Sequence, residues 1–177
     1  EHQTCFENTI KTLLKYTVLE HYNPNVMCEL LTDASNLNGI GFALIQRDDN
    51  DRMRVIQCGS RSLSAAERNY AVVELELLAV VWAIRKCRVY LANRGFRVVS
   101  DHRPLVGLVS KDSLDYLDNR RLVTLLDKVS GYDFEIVWVP GKTHCLADAL
   151  SRAPERETSA SADMIRAVTT RRQAFDT

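Results

Sequence analysis

The chain has no apolar run near the eighteen or so residues that a helix needs to span a bilayer, so no membrane span is expected. Its opening, Glu1-His-Gln-Thr-Cys5, lacks the basic start and apolar middle of a secretory signal, which predicts a soluble chain not processed by that route. Net charge is lacking too: 23 Lys and Arg stand against 23 Asp and Glu. Whole-molecule attraction therefore cannot draw in a polyanion, and a nucleic-acid partner would need a local patch or a neighbouring domain to supply affinity. The five cysteines, Cys5, Cys28, Cys58, Cys87 and Cys145, show no zinc-ligand spacing. Three of them fall in apolar segments, as buried thiols of a reducing compartment do. No internal repeat and no Asn-x-Ser/Thr site occurs. Glycine and proline are sparse, 7 and 4 among 177 residues, and where they do occur they punctuate the chain.

What is present is enough apolar sequence, 46%, for one domain with a proper core and some appended chain. Thr4-Cys-Phe-Glu7 fits a capping box, and Phe6, Ile10, Leu13 and Leu14 recur at helical spacing, so a short amphipathic helix opens the chain. Turn residues at Tyr22-Asn-Pro-Asn25 follow it, and residues 1–27 read as the end of a preceding domain. Cys28 to Gln46 reads as two apolar strands around the turn Asn36-Leu-Asn-Gly39, and Met53 to Cys58 as a third, all consecutive and antiparallel. A second capping box, Ser64-Ala-Ala-Glu67, precedes Tyr70 to Leu91, which holds neither glycine nor proline. This predicts a long helix, buried on more than one side because residues 72–84 are apolar almost all round. Phe96 to Asp101 is a fourth strand, Val106 to Val109 a short helix, Leu122 to Val129 a helix stopped by Gly131, and Phe134 to Trp138 a fifth strand. Leu146 to Ala153 makes a last helix. The predicted domain covers residues 28–154, and residues 155–177, with few apolar side chains, read as a tail or linker. The fold class is α/β: a mixed five-stranded sheet, its first three strands antiparallel, with helices on both faces.

Acids stand where such elements seldom hold them. Asp33 closes the first strand and Asp101 the fourth, and a strand reached by a helical crossover can lie parallel to the first, which brings both acids to one edge. An Asp beside a turn is also the ordinary turn-capping residue. A glutamate of the buried helix and Asp148 of the last helix would complete four carboxylates. Like charges so close repel unless a hard divalent cation lies between them. Four carboxylates can hold two ions about 4 Å apart, which clamp the attacking and leaving oxygens of a phosphoryl displacement. The chemistry indicated is phosphodiester hydrolysis. Periodicity leaves the helix acid open: Glu74 has Tyr70, Ala71, Leu77 and Leu78 as neighbours, and Glu76 has Val72, Val73, Ala79 and Val80. The two point about 200° apart, so only one can face the metals.

Several motifs then occur in order: Thr32-Asp-Ala-Ser35 with Gly39-Ile-Gly41, Ser60-Arg-Ser-Leu63, Ala66-Glu-Arg-Asn-Tyr70, Glu74-Leu-Glu-Leu-Leu-Ala-Val-Val-Trp82, Ser100-Asp-His102, Tyr132-Asp-Phe-Glu-Ile136, and Pro140-Gly-Lys142 followed by Ala147-Asp-Ala-Leu-Ser-Arg152. From about Glu29 to Arg152 the chain closely resembles the ribonuclease H domain of gypsy-type LTR retrotransposon reverse transcriptase polyproteins. The resemblance implies an endonuclease that cleaves the RNA strand of RNA/DNA hybrids beside an adjacent reverse transcriptase domain, with no membrane involved. It implies two magnesium or manganese ions, held by the catalytic acids Asp33, Glu76, Asp101 and Asp148. The family pattern of Glu followed by Leu-Leu-Ala is what selects Glu76 over Glu74. It further implies substrate contacts at Ser35, Gly39, Gly41, Arg61 and His102. The glycines would let a nucleic-acid backbone come close. The setting implied is intracellular, a cytoplasmic retroelement particle with a nuclear phase left open.

The sequence departs from related ribonucleases H in two places. No histidine directly follows Val139-Pro-Gly141, where retroviral relatives carry a flexible catalytic one, and His144 is the candidate proton carrier in its stead. Asp112, Asp115 and Asp118 stand where some relatives have a basic helix gripping the hybrid. The basic run Arg85, Lys86, Arg88, Arg94 and Arg97 is either a phosphate track or a solvated face. Trp82 and Trp138 are expected in the core. Two other functions compete: a non-catalytic, connection-like structural module of a reverse transcriptase, and an integrase-like nuclease acting on DNA.

Overall fold

The computed structural model describes residues 20–109 and 119–152. The expected opening helix, Asp112, Asp115, Asp118 and the tail lie outside the described residues. Strands β1 (Cys28–Ser35), β2 (Gly39–Arg47) and β3 (Met53–Ser62) pair antiparallel in succession. The first turn closes through the Asn38 N–H on the Ser35 carbonyl at 3.2 Å. β2 is buried along its whole length except at Arg47, as its nearly unbroken apolar sequence requires.

The Ser64 to Glu67 capping box forms, with the Ser64 N–H on the Glu67 carboxylate at 2.8 Å and the Glu67 N–H on the Ser64 hydroxyl at 3.3 Å. It heads a single 3-10 turn, Glu67–Asn69, and not the long helix that was expected of it. Helix α1 (Val72–Lys86) starts afresh, with the Ala71 N–H donating to the Glu74 carboxylate at 2.8 Å. It stops at Cys87, and a short α2 (Arg88–Leu91) continues, so the one helix expected to Leu91 is two. No glycine or proline announces that break. There follow β4 (Phe96–Ser100), α3 (Arg103–Val109), α4 (Arg120–Asp127), β5 (Phe134–Trp138), a 3-10 turn (Gly141–Thr143) and α5 (Cys145–Arg152).

The sheet order is β3-β2-β1-β4-β5, with β4 parallel to both β1 and β5. Alternation along the strands sorts their side chains onto two faces. Leu30, Phe42, Leu44, Ile56 and Val98 pack against Leu77, Val80 and Ile84 of α1 and Leu122, Leu125 and Leu126 of α4. On the other face Leu31, Ala43 and Ile45 pack against Leu146, Ala147 and Leu150 of α5. Helices therefore cover both faces, as the sequence predicts. Each fully buried leucine or phenylalanine contributes about 2 kcal/mol relative to exposure, so the sheet is a rigid base for whatever its edges carry. No helix among the described residues is long and apolar enough to cross a membrane.

Trp138 is a correction to the sequence reading. Its place in β5 puts it on the same face as Phe134 and Ile136, which pack on the core, yet it is 44% exposed. β5 is an edge strand, and the core stops short of its last residue.

Candidate active site

Register is what brings the first two acids together. β1 and β4 run parallel with Cys28 opposite Phe96 and Leu31 opposite Val99, and the same stagger continued sets Asp33 level with Asp101. Both lie at the carboxyl ends of parallel strands, where chains diverge and open sheets leave a crevice. α1 then delivers Glu76. Asp33, Glu76 and Asp101 each offer a carboxylate oxygen within 4.8 Å of the others. Asp33 and Glu76 are buried, Glu76 to 4% exposure, and Asp101 is half-buried.

The electrostatics are those of a site that needs a counter-charge. Burial, then the charges of Asp33 and Asp101, push the Glu76 carboxyl up to about 9, against one hydrogen bond from the Ala34 N–H. Asp33 is also raised, by burial first, with Ser151 opposing and Asp101 and Asp148 adding to the rise. Glu76 Oε2 is buried with no hydrogen-bond partner among the described residues. Three converging carboxylates, one of them buried with an oxygen that has no partner among the described residues, fit a hard divalent cation, whose charge reverses the repulsion.

Glu74 points elsewhere. Besides the Ala71 N–H, its carboxylate accepts from Asn119 Nδ2 and from the Arg121 guanidinium, each at 2.8 Å. Burial alone would raise it, but these bonds and the Arg121 charge hold it below the usual carboxylate range. It is the clasp between the start of α1 and the start of α4.

Asp148 does not converge with the other three. Its Oδ1 accepts from Arg152 Nε at 2.6 Å, one helical turn on, while its charge still reaches Asp33. His144 is fully buried with Nε2 2.7 Å from the Thr32 carbonyl. A carbonyl only accepts, so Nε2 carries the hydrogen, and the ring is locked on β1 instead of riding a free loop. Nδ1 is buried without a partner among the described residues.

The other candidate positions lie in varied surroundings. A Cβ at Gly41 would lie 2.5 Å from the Ser151 nitrogen and 2.7 Å from the Leu150 carbonyl carbon, so the missing side chain admits α5. Gly39 is buried, opposite Ser35 and Ser62. Ser35 is half-buried and its hydroxyl accepts from Asn38 Nδ2 at 3.3 Å. Arg61 is committed to Glu67 through two bonds of 2.8 Å, and those bonds come first among the causes that draw Glu67 down to about 2. His102 is half-buried at the entry to α3, its N–H on Ser100 Oγ at 3.1 Å. Burial lowers its imidazole, against the pull of Asp101. The basic run is divided: Arg97 pairs with Glu135 at 2.6 Å, Arg94 donates to the Pro24 carbonyl, and Arg85, Lys86 and Arg88 are exposed around the end of α1.

Three residues at the site escaped the sequence reading. Ser151 donates to Asp33 Oδ2 from the adjacent helix. A Cβ at Gly141 would meet Asp101 Oδ2 at 2.9 Å, so a side chain there requires the Asp101 carboxylate to move. The Trp138 indole N–H donates to the Asp101 carbonyl at 2.9 Å, with the Arg103 guanidinium 6.0 Å from its ring centre. Ser151 and Gly141 lay inside quoted motifs, but nothing local tied them to acids distant in sequence.

A mixed sheet in this order, with helices on both faces and acids at its carboxyl edge, defines the ribonuclease H-like fold. LC11-RNase H1, solved in complex with an RNA/DNA hybrid, is similar with a TM-score of 0.52 at 13% identity, over 70% of this chain and 92% of that one. The family model described as the RNase H-like domain found in reverse transcriptase matches residues 23–132, and the chain belongs to that family. Its relatives are transposon polyproteins. The retrovirus-related Pol polyprotein from transposon opus of Drosophila melanogaster is 38% identical over 136 residues, 76% of this chain and 13% of that polyprotein. The Tf2-3 polyprotein of Schizosaccharomyces pombe is 33% identical over 150 residues, 84% of this chain and 11% of its own length. The chain thus spans only a small part of the length of these curated relatives.

Proposed function

We propose that the chain is a divalent-metal-dependent endonuclease that hydrolyses the RNA strand of RNA/DNA hybrids during reverse transcription, working beside a polymerase domain of the same polyprotein. One observation carries the reading: Asp33, Glu76 and Asp101 converge with oxygens within 4.8 Å, and Glu76 is buried with an oxygen that has no partner among the described residues. Family membership and a fold shared with a hybrid-bound ribonuclease support it.

Magnesium or manganese, when bound, supplies the positive charge that activates a water and stabilises the attacking and leaving oxygens of an in-line displacement. Asp33, Glu76 and Asp101 would hold it, and Asp148 would join them once its pair with Arg152 opens. Buried walls under Asp33 and Glu76 exclude bulk water from that side. On the open side, Trp138 is pinned by its N–H and presents its ring to solvent beside Arg103, a surface suited to a nucleic-acid strand. Arg61, being paired with Glu67, contributes to the local structure instead. His144 supports β1 through Thr32, and Nδ1, bare of hydrogen in that tautomer, is its ring nitrogen left to accept a proton. Residues 1–27 and 155–177 are proposed as the end of the polymerase connection and a linker.

Cleavage of labelled hybrid, matched DNA duplex and matched RNA duplex tests the reading. We expect cut RNA with 3′-hydroxyl and 5′-phosphate ends from the hybrid alone, in magnesium or manganese and not in excess chelator. Equal cleavage of the DNA duplex would indicate a DNA nuclease, and no cleavage of any substrate, with metal bound and the polymerase attached, would indicate a structural module.

A further inference from the structure

We infer that Ser151 is a positioning residue whose hydroxyl, carried on α5, fixes the Asp33 carboxylate for cation binding, and that Gly41 sets the approach that lets it do so. The inference rests on reading the acid cluster as a cation site.

Ser151 is fully buried on the last turn of α5. Its Oγ donates to Asp33 Oδ2 and lies 2.9 Å from the Asp148 carbonyl. No other hydrogen bond to the Asp33 carboxylate is found among the described residues. A carboxylate held at one oxygen loses its freedom to turn about the Cβ–Cγ bond, and its second oxygen is left for the cluster. An outer partner of this kind orients a metal ligand and favours its charged form, and losing one typically weakens metal binding about 10- to 100-fold.

The backbone explains why a helix can deliver the hydroxyl there. Asp33 and Gly41 are directly opposite in the β1 to β2 ladder, so they share the face that α5 covers. A Cβ at Gly41 would fall 2.5 Å from the Ser151 nitrogen and 2.7 Å from the Leu150 carbonyl carbon. Both are main-chain atoms, which cannot swing aside as a side-chain tip can. Any side chain at Gly41 would lift α5 and carry the hydroxyl away from Asp33. The two positions therefore act through one helix.

Manganese affinity by titration calorimetry, with melting in chelator, on the whole chain as wild type, Ser151→Ala, Gly41→Ala, the double variant and Asp33→Asn tests this. We expect Ser151→Ala to bind manganese about tenfold or more weakly while its metal-free melting temperature stays within a few degrees of wild type. Gly41→Ala should lose at least as much, and the double variant no more than Gly41→Ala alone, since coupled positions do not add. Should Gly41→Ala fail to fold, Ser151→Ala decides alone. Wild-type affinity in Ser151→Ala, or a lowered metal-free melting temperature with affinity unchanged, would make Ser151 a purely structural serine. If the wild type binds no manganese, or Asp33→Asn binds as well as it does, the cation-site reading fails and takes this inference with it.

Discussion

Glu74 and Glu76 stand two residues apart in one helix and carry opposite electrostatics. Glu76 has a folded value of about 9 against an ordinary 4.5, so between those values the metal-free folded protein holds a proton that the unfolded chain has released. The stability this gives is full below about pH 4.5 and is lost as pH rises through about 9. Melting in chelator should therefore show wild type losing stability as pH rises over that window, and Glu76→Gln losing much less. Added manganese should stabilise wild type most at the upper end, where it no longer competes with the proton. Glu74 is held below its ordinary value, so its contribution is present above that value and fades as pH falls through the folded one. Replacing it by glutamine removes the ion pair with Arg121 and should lower stability by about 1–3 kcal/mol, measured by denaturant unfolding, while cleavage survives.

Elements position these residues, and at this scale the sequence was legible in part. Acids isolated in apolar segments, and a crossover that makes β4 parallel to β1, were enough to bring Asp33 and Asp101 to one edge. The helix acid was not decided by periodicity, because α1 is apolar almost all round and both glutamates sit among apolar neighbours. The family pattern selected Glu76, and the structure brings that residue, not Glu74, to the other acids. Contacts across the chain were harder to see. Ser151 reaches Asp33 from 118 positions away, Gly41 makes room for a helix, and the Ser64 box caps a single turn. Gly141 is a further such case, since Asp101 Oδ2 lies 2.9 Å from where its Cβ would stand. Because that neighbour is a movable side-chain tip, Gly141→Ala should fold normally and push the Asp101 carboxylate aside. Calorimetry should then show manganese binding weakened about tenfold, with melting in chelator unchanged.

For the whole molecule, 23 cations balance 23 anions, and several of the cations are already paired, among them Arg47, Arg61, Arg97 and Arg121. The chain alone is thus expected to bind hybrid weakly, with affinity that falls as salt rises. Joined to the proposed adjacent polymerase domain it should bind tightly, because the second contact becomes intramolecular. Fluorescence anisotropy across a salt series, on the chain alone and on the joined protein, checks this, and Trp138→Ala should weaken the residual binding of the chain alone. The central claim is that the Asp33, Glu76 and Asp101 cluster is the hydrolytic site. Its most direct test is the rate of hybrid cleavage in magnesium for Glu76→Gln and Glu74→Gln side by side, both shown by melting to be folded. We expect Glu76→Gln to lose cleavage by about a thousandfold or more and Glu74→Gln to keep most of it. Cleavage that survives in folded Glu76→Gln and disappears in folded Glu74→Gln would contradict it.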